Sequence, residues 1–267
     1  MASIFRTQRG SQQVIAAALL LALAGLAWAA MYEIMRLPAA HGLRSAMVHE
    51  PPPGLLAPAA FDRSLAQAGL FLVSWLLMTA AMMLPTSLPM IDTFGQLARH
   101  KPGASSRVTL FALSYLAVWA AFGLAAYVFD VQVHAAVARS RVLASHTALL
   151  SAAALLLAGA YQFTPLKHRC LTLCRAPLSF LMAHWRDGLR GAFSMGFRHG
   201  LTCVGCCWAL MFLMFALGMA QLSWMLGLAL LMFVEKVVCR GELAGSAAGV
   251  LFLGWGAVSL LHALQLI

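Results

Sequence analysis

Charge is what this sequence has least of: 10% of its 267 residues are Asp, Glu, Lys or Arg, where a soluble domain carries about 25%. With 62% hydrophobic residues and a mean hydropathy of +0.85, that scarcity excludes a soluble globular chain. No Walker phosphate loop, no dinucleotide-binding glycine fingerprint and no hydrolase nucleophile elbow occurs, so nucleotide-driven chemistry is not expected. No internal repeat of fixed period is legible either, which weighs against an inverted-repeat transporter. What these absences leave is an all-α, polytopic transmembrane helical bundle.

About 20 apolar residues are needed to cross a hydrocarbon core of roughly 30 Å. Seven stretches approach that length, near 14–32, 66–85, 108–129, 146–163, 195–219, 222–238 and 245–266. The first has a basic start and ends on Ala27-Trp28-Ala29, which resembles a signal peptide with a small-residue cleavage site. Its apolar run is longer than a usual signal core, so an uncleaved anchor is favoured; cleavage would leave six spans. Three regions follow: an N-terminal anchor or signal-like span over 1–32, an external Pro-rich loop over 33–64, and a membrane domain over 65–267.

The basic residues set the orientation. With the N-terminus inside, only Arg36, Arg44, Arg63, Arg139 and Arg141 of the 18 Lys and Arg residues fall outside, a strong positive-inside bias. The expected topology is N-in and C-out in a bacterial inner (plasma) membrane. The net charge of +10 then reflects inner-leaflet contact, and the expected partners are the lipid bilayer and a soluble or membrane protein, with no nucleic acid.

Soft donors are abundant where charges are not. Cys203, Cys206 and Cys207 fall within five residues of one another inside the fifth stretch. Met195, His199, Cys203, Cys207 and Met211 recur every four residues, a stripe turning slowly around a helix. The second stretch supplies Met78, Met82 and Met83 just before Pro85, which displaces the carbonyl of Ala81 from its helical partner. In lipid that carbonyl needs protein, water or a ligand. At about 1.5 Å per residue, Met82, Cys203, His199 and Glu235 all lie below their span centres on the cytoplasmic side, with Tyr161 and Gln162 nearby.

Each residue also has a plainer reading. Met and Cys pack ordinary cores, and Gly196 with Gly200 makes a small-residue pair that favours close helix contact. Glu235 beside Lys236 serves either as an interfacial anchor or in metal ligation, ligand support or proton transfer. Cys170 and Cys174, with His168, lie on an amphipathic inner segment broken by Pro165 and Pro177. They either bind and pass a metal or simply pack, and Cys239 reads as structural. His41, Met47, His49 and Glu50 of the external loop read as surface residues or as a capture site.

Taken jointly, the layer reads as a transition-metal site with Met78, Met82, Met83, His199, Cys203, Cys206, Cys207 and Glu235 as candidate ligands. Thioether, thiolate and imidazole together favour Cu(I) over hard cations, while zinc has little use for Met. Haem through His199 stays open, although no second histidine stands at that depth.

Three runs carry a resemblance: the one opening at Trp75 and ending at Pro85, Tyr161 to Cys170, and Gly196 to Trp208, with Glu235-Lys236. In that order they resemble a bacterial family of predicted metal-binding integral membrane proteins, a domain of unknown function. The resemblance runs from about residue 65 to the C-terminus and implies a membrane protein with a metal site, without a particular reaction. The leading expectation is Cu(I) handling or transport through an intramembrane Met/Cys/His site. The alternatives are the membrane subunit of a copper-dependent oxidase or oxygenase, with Tyr161 and Glu235 in proton or radical chemistry, and a non-catalytic assembly factor.

Overall fold

In a computed structural model of the chain, residues 22, 24–33, 58–139, 147–217, 222–238 and 240–264 are described. Those residues are helical, with turns between helices and no strand. Residues 14–21 and 23 of the first expected span, the loop residues His41, Met47, His49 and Glu50, and Cys239 lie outside them.

The helices are α1 (Pro58–Ala98), α2 (Ala104–Arg139), α3 (Thr147–Tyr161), α4 (Pro165–Arg175), α5 (Pro177–His184), α6 (Gly188–Leu217), α7 (Leu222–Val237) and α8 (Gly241–Ala263). Three of them start on proline, which costs no helical hydrogen bond at the first position and presets φ. Helix α1 begins inside the stretch expected as external loop and runs on through Pro85 and Pro89. The carbonyl that Pro85 releases is answered by protein: Trp28, in the helical segment over 24–33, donates its indole Nε1 to Ala81 O at 3.2 Å.

Among the described residues four helices are long and apolar enough to cross a membrane, over Gln67–Ala98, Ala104–Val137, Gly188–Met214 and Gly241–Ala263. The fourth expected stretch breaks after Tyr161, and Ala148–Tyr161 with Pro165–Arg175 makes a fifth span only if the pair, bent by 62°, is counted as one. Helix α7 has 16 residues and so reaches about 24 Å, short of a full hydrocarbon core.

The bundle is tied by close backbone approaches and aromatic hydrogen bonds. Helix α2 lies directly on α6: a Cβ at Gly196 would strike the Phe111 carbonyl and Ser114, and one at Gly200 would come to 2.8 Å from Val118. Trp75 of α1 donates Nε1 to Trp119 O of α2 at 2.9 Å. Outside the spans, Lys101 Nζ sits 2.8 Å from Asp187 Oδ1 and links the α1–α2 turn to the start of α6. Its hydrogen bond holds that carboxyl below the usual range despite a small opposing desolvation. The tight turn into α8 places Arg240 at φ 65, a left-handed position.

Two buried clusters result. The larger runs through α1, α2, α3, α6 and α7 and holds Met78, Met82, Met83, Tyr115, Tyr161 and the three cysteines of α6; the smaller gathers Met90, Phe94, Phe111, Phe180 and Met195.

The α2–α6 contact is directly testable. Gly200→Leu should destabilise the folded protein by about 1–3 kcal/mol through overpacking, whereas Gly254→Leu, where a Cβ meets nothing within 4 Å, should be near neutral. Thermal unfolding in detergent reads the difference, and equal midpoints for the two variants would show that α2 does not pack there.

Candidate metal centre

Helical spacing alone brings the α6 cysteines together, since positions three and four apart share a face. The Sγ atoms of Cys203, Cys206 and Cys207 lie within 4.8 Å of one another, and all three side chains are buried. Cys206 and Cys207 both donate S–H to Cys203 O, at 3.1 and 2.9 Å, which turns their sulfurs toward the same space. Sulfurs that share one ion at about 2.3 Å stand at most about 4.6 Å apart, so the trio fits a thiophilic metal with little adjustment.

Neighbouring helices close the pocket. From α1, Met83 Sδ is 4.0 Å from Cys207 Sγ. From α2, the Tyr115 hydroxyl is 3.3 Å from Cys203 Sγ and accepts from Ser87 at 3.0 Å. From α4, Cys174 Sγ is 3.9 Å from Cys206 Sγ. The approach of α4 depends on Gly205, where a Cβ would stand 2.7 Å from Cys170 Sγ, and Tyr161 donates its hydroxyl to Gly205 O. The inner segment therefore does more than lie at the interface: it folds back and adds its thiols to the main cluster.

Lys236 is the unexpected member. Its side chain is buried, and Nζ lies 3.0 Å from Cys203 Sγ, 3.4 Å from Thr86 Oγ1, 3.7 Å from Met83 Sδ and 4.0 Å from Cys207 Sγ. An ammonium group thus stands in the sulfur pocket itself. In sequence it reads as an anchor at a helix end. The available signal was that Lys236 follows Met225 and Met232 at eleven and four residues, on one helical face.

Glu235, one residue away, points elsewhere. Lys167 Nζ of α4 donates to both of its carboxylate oxygens at 2.8 Å and also to Gln162 Oε1. Both partners of this ion pair are almost fully buried, and Gly245 of α8 leaves room for the carboxylate. In sequence Lys167 is one of the 18 Lys and Arg residues with nothing to set it apart; its buried amine, five residues from Gln162, completes the layer that Glu235 and Gln162 mark.

His199 is also buried, but in an aromatic slot. Its ring stacks on Tyr115 at 5.2 Å and Phe111 at 6.0 Å, with Phe180 edge-on at 5.9 Å. Neither ring nitrogen has a hydrogen-bond partner. Tyr115 therefore touches both His199 and Cys203. Met78 and Met82 belong to the same buried cluster as the cysteines. All five described cysteines are free thiols.

Comparison with known proteins adds one match: a family model described as PpoB2, copper chaperone, covers residues 72–259. No curated protein and no solved structure matches the chain.

The Lys167–Glu235 pair yields a sharp test. Lys167→Met alone strands a carboxylate in the apolar interior and should cost about 3–5 kcal/mol, whereas Lys167→Met with Glu235→Leu should recover most of that loss. Chemical denaturation in detergent measures both; a double variant no more stable than the single one would mean that the pair does not carry the effect.

Proposed function

This chain belongs to the copper chaperone family, and from that membership we propose that it is a multi-pass inner-membrane protein that holds Cu(I) as cargo and passes it on. The observation that carries the reading is the buried trio of sulfurs within 4.8 Å, capped by a lysine ammonium. The thirteen inner basic residues support the N-in, C-out orientation, which puts the cluster in the cytoplasmic half of the bundle.

The proposed site is Cys203, Cys206 and Cys207, with Met83 and Cys174 at its margins. Soft sulfur donors suit Cu(I) and disfavour Mg, Ca and Mn. Two thiolates around a monovalent ion leave one negative charge, and the Lys236 ammonium neutralises it within contact distance. In an apolar interior an unpaired charge costs several kcal/mol, so this balance selects a Cu(I) bis-thiolate. Met83 adds a neutral third donor without disturbing it.

His199 stands four residues below Cys203 as the nitrogen donor of the same stripe. Leaving a buried polar nitrogen unsatisfied costs about 1–3 kcal/mol, a penalty that a bound ion relieves. Cys174, next to Cys206, is the first step outward, and Cys170 lies one turn further along α4. Glu235 is left out of the coordination sphere, because Lys167 occupies both of its oxygens. The same commitments weigh against an oxidase: Tyr161 and Glu235, its candidate proton or radical groups, are both engaged in holding helices together.

Elemental analysis of the full chain, purified under reducing conditions with Cu(I), should give near one copper per protein. Cys203→Ser/Cys206→Ser/Cys207→Ser should lose it, and copper retained in that variant removes the assignment. Lys236→Met should weaken Cu(I) at least about tenfold in competition with a colorimetric chelator, equivalent to about 1.4 kcal/mol; unchanged affinity would discard the counter-charge role.

A separate variant isolates the imidazole. His199→Phe fits the aromatic slot and should fold with equal or greater stability while binding Cu(I) more weakly. Parental affinity in that variant would reduce His199 to a packing residue.

A further inference from the structure

Methionine is distributed very unevenly among the helices. Helices α2, α3, α4 and α8 contain none, whereas α1, α6 and α7, whose Met83, cysteines and Lys236 meet in the pocket, carry nine. Every methionine of described burial is buried except Met182. If the residue served only as an apolar filler, the Leu- and Ala-rich helices facing lipid would use it too.

Register aligns these side chains into a column. Four residues separate α6 from α7 in sequence, and the two helices touch far from those ends, at Cys203 and Lys236, so they run antiparallel. Positions equally far from that contact stand at one level: Cys207 opposite Met232, about 6 Å along, and Met214 opposite Met225, about 16 Å along. Met211 lies between, and on α1 Met78 and Met82 continue away from Met83 in the same direction. All of these belong to the buried cluster that contains the cysteines. The column starts at the thiols and runs toward the C-terminal end of α6 and the start of α7.

We propose that Met211, Met214, Met225 and Met232, with Met78 and Met82, form a second, weaker site for a soft monovalent cation, stacked on the cysteine cluster and feeding it. The proposal deepens the Cu(I) reading and rests on it for the direction of flow. A thioether is a neutral soft donor, so an ion moves between methionines by ligand exchange, with no change of oxidation state and no proton transfer. At the bottom of the column it meets anionic sulfur, which binds it more tightly. The charge on the pocket therefore gives the column its direction.

Ag(I), a soft cation that undergoes no redox chemistry here, is the probe. The cysteine-free full chain, with Cys170, Cys174, Cys203, Cys206, Cys207 and Cys239 changed to Ser, should still bind Ag(I) by isothermal calorimetry in detergent. Adding Met211→Leu/Met214→Leu/Met225→Leu/Met232→Leu should abolish that binding; Leu-for-Met swaps conserve volume and are tolerated. With the cysteines intact, the same four Leu changes should leave copper stoichiometry at the parental value but slow Cu(I) loading at least about tenfold. Met90→Leu/Met195→Leu, in the other cluster, should load at the parental rate.

Absence of Ag(I) binding in the cysteine-free chain, or its survival after the Leu changes, overturns the thioether site. Loading at the parental rate in the four-Leu chain overturns the feeding role. The cysteine assignment has its own separate failure, copper retained in the triple Ser variant, so the two readings fall independently.

Discussion

An apolar bundle tolerates a buried charge only when an opposite charge or hydrogen-bond acceptors answer it, and this protein places two such demands on consecutive residues. Glu235 is answered by Lys167 from α4, and Lys236 is answered by the sulfurs of α6 and Met83 of α1. Successive helical residues point about 100° apart, so α7 is held between two partners on different sides. One bond draws the inner segment against the bundle; the other seats a cation among thiols. The pocket and its cover are thus positioned by a single short helix.

Much of this was legible in the sequence because helices have a fixed period and membranes a fixed thickness. The i, i+3 and i, i+4 spacing of Cys203, Cys206 and Cys207 was enough to expect a cluster, and the coordinates place the three sulfurs together. The small-residue pair at Gly196 and Gly200 was read as a helix contact, and α2 lies there. Pro85 predicted an orphan carbonyl at Ala81, and Trp28 answers it. The copper preference, argued from donor softness, agrees with the family match.

What sequence could not give was direction in three dimensions. Lys236 and Glu235 both looked like a helix-end pair, since nothing local says that one faces sulfur and the other faces α4. His199 shares the cysteine stripe, yet flanking aromatics from α2 and α5, distant in sequence, decide that its ring stacks instead of reaching a polar partner. Cys174 was separated from the main cluster by Pro177 and the start of α6, and only the 62° bend between α3 and α4 returns it. Apolar length counted seven stretches but could not distinguish a straight span from a broken one.

The meeting of Cys174 with Cys206 exposes the protein to its surroundings in a further way. Their sulfurs stand 3.9 Å apart, and a disulfide needs about 2.05 Å. Loss of two electrons to an external oxidant would staple the inner arm to the bundle and withdraw one donor from the cluster. Handling under air would then leave Cys203 and Cys207 without their third thiol, so the thiol status of a sample governs what any copper measurement on it means.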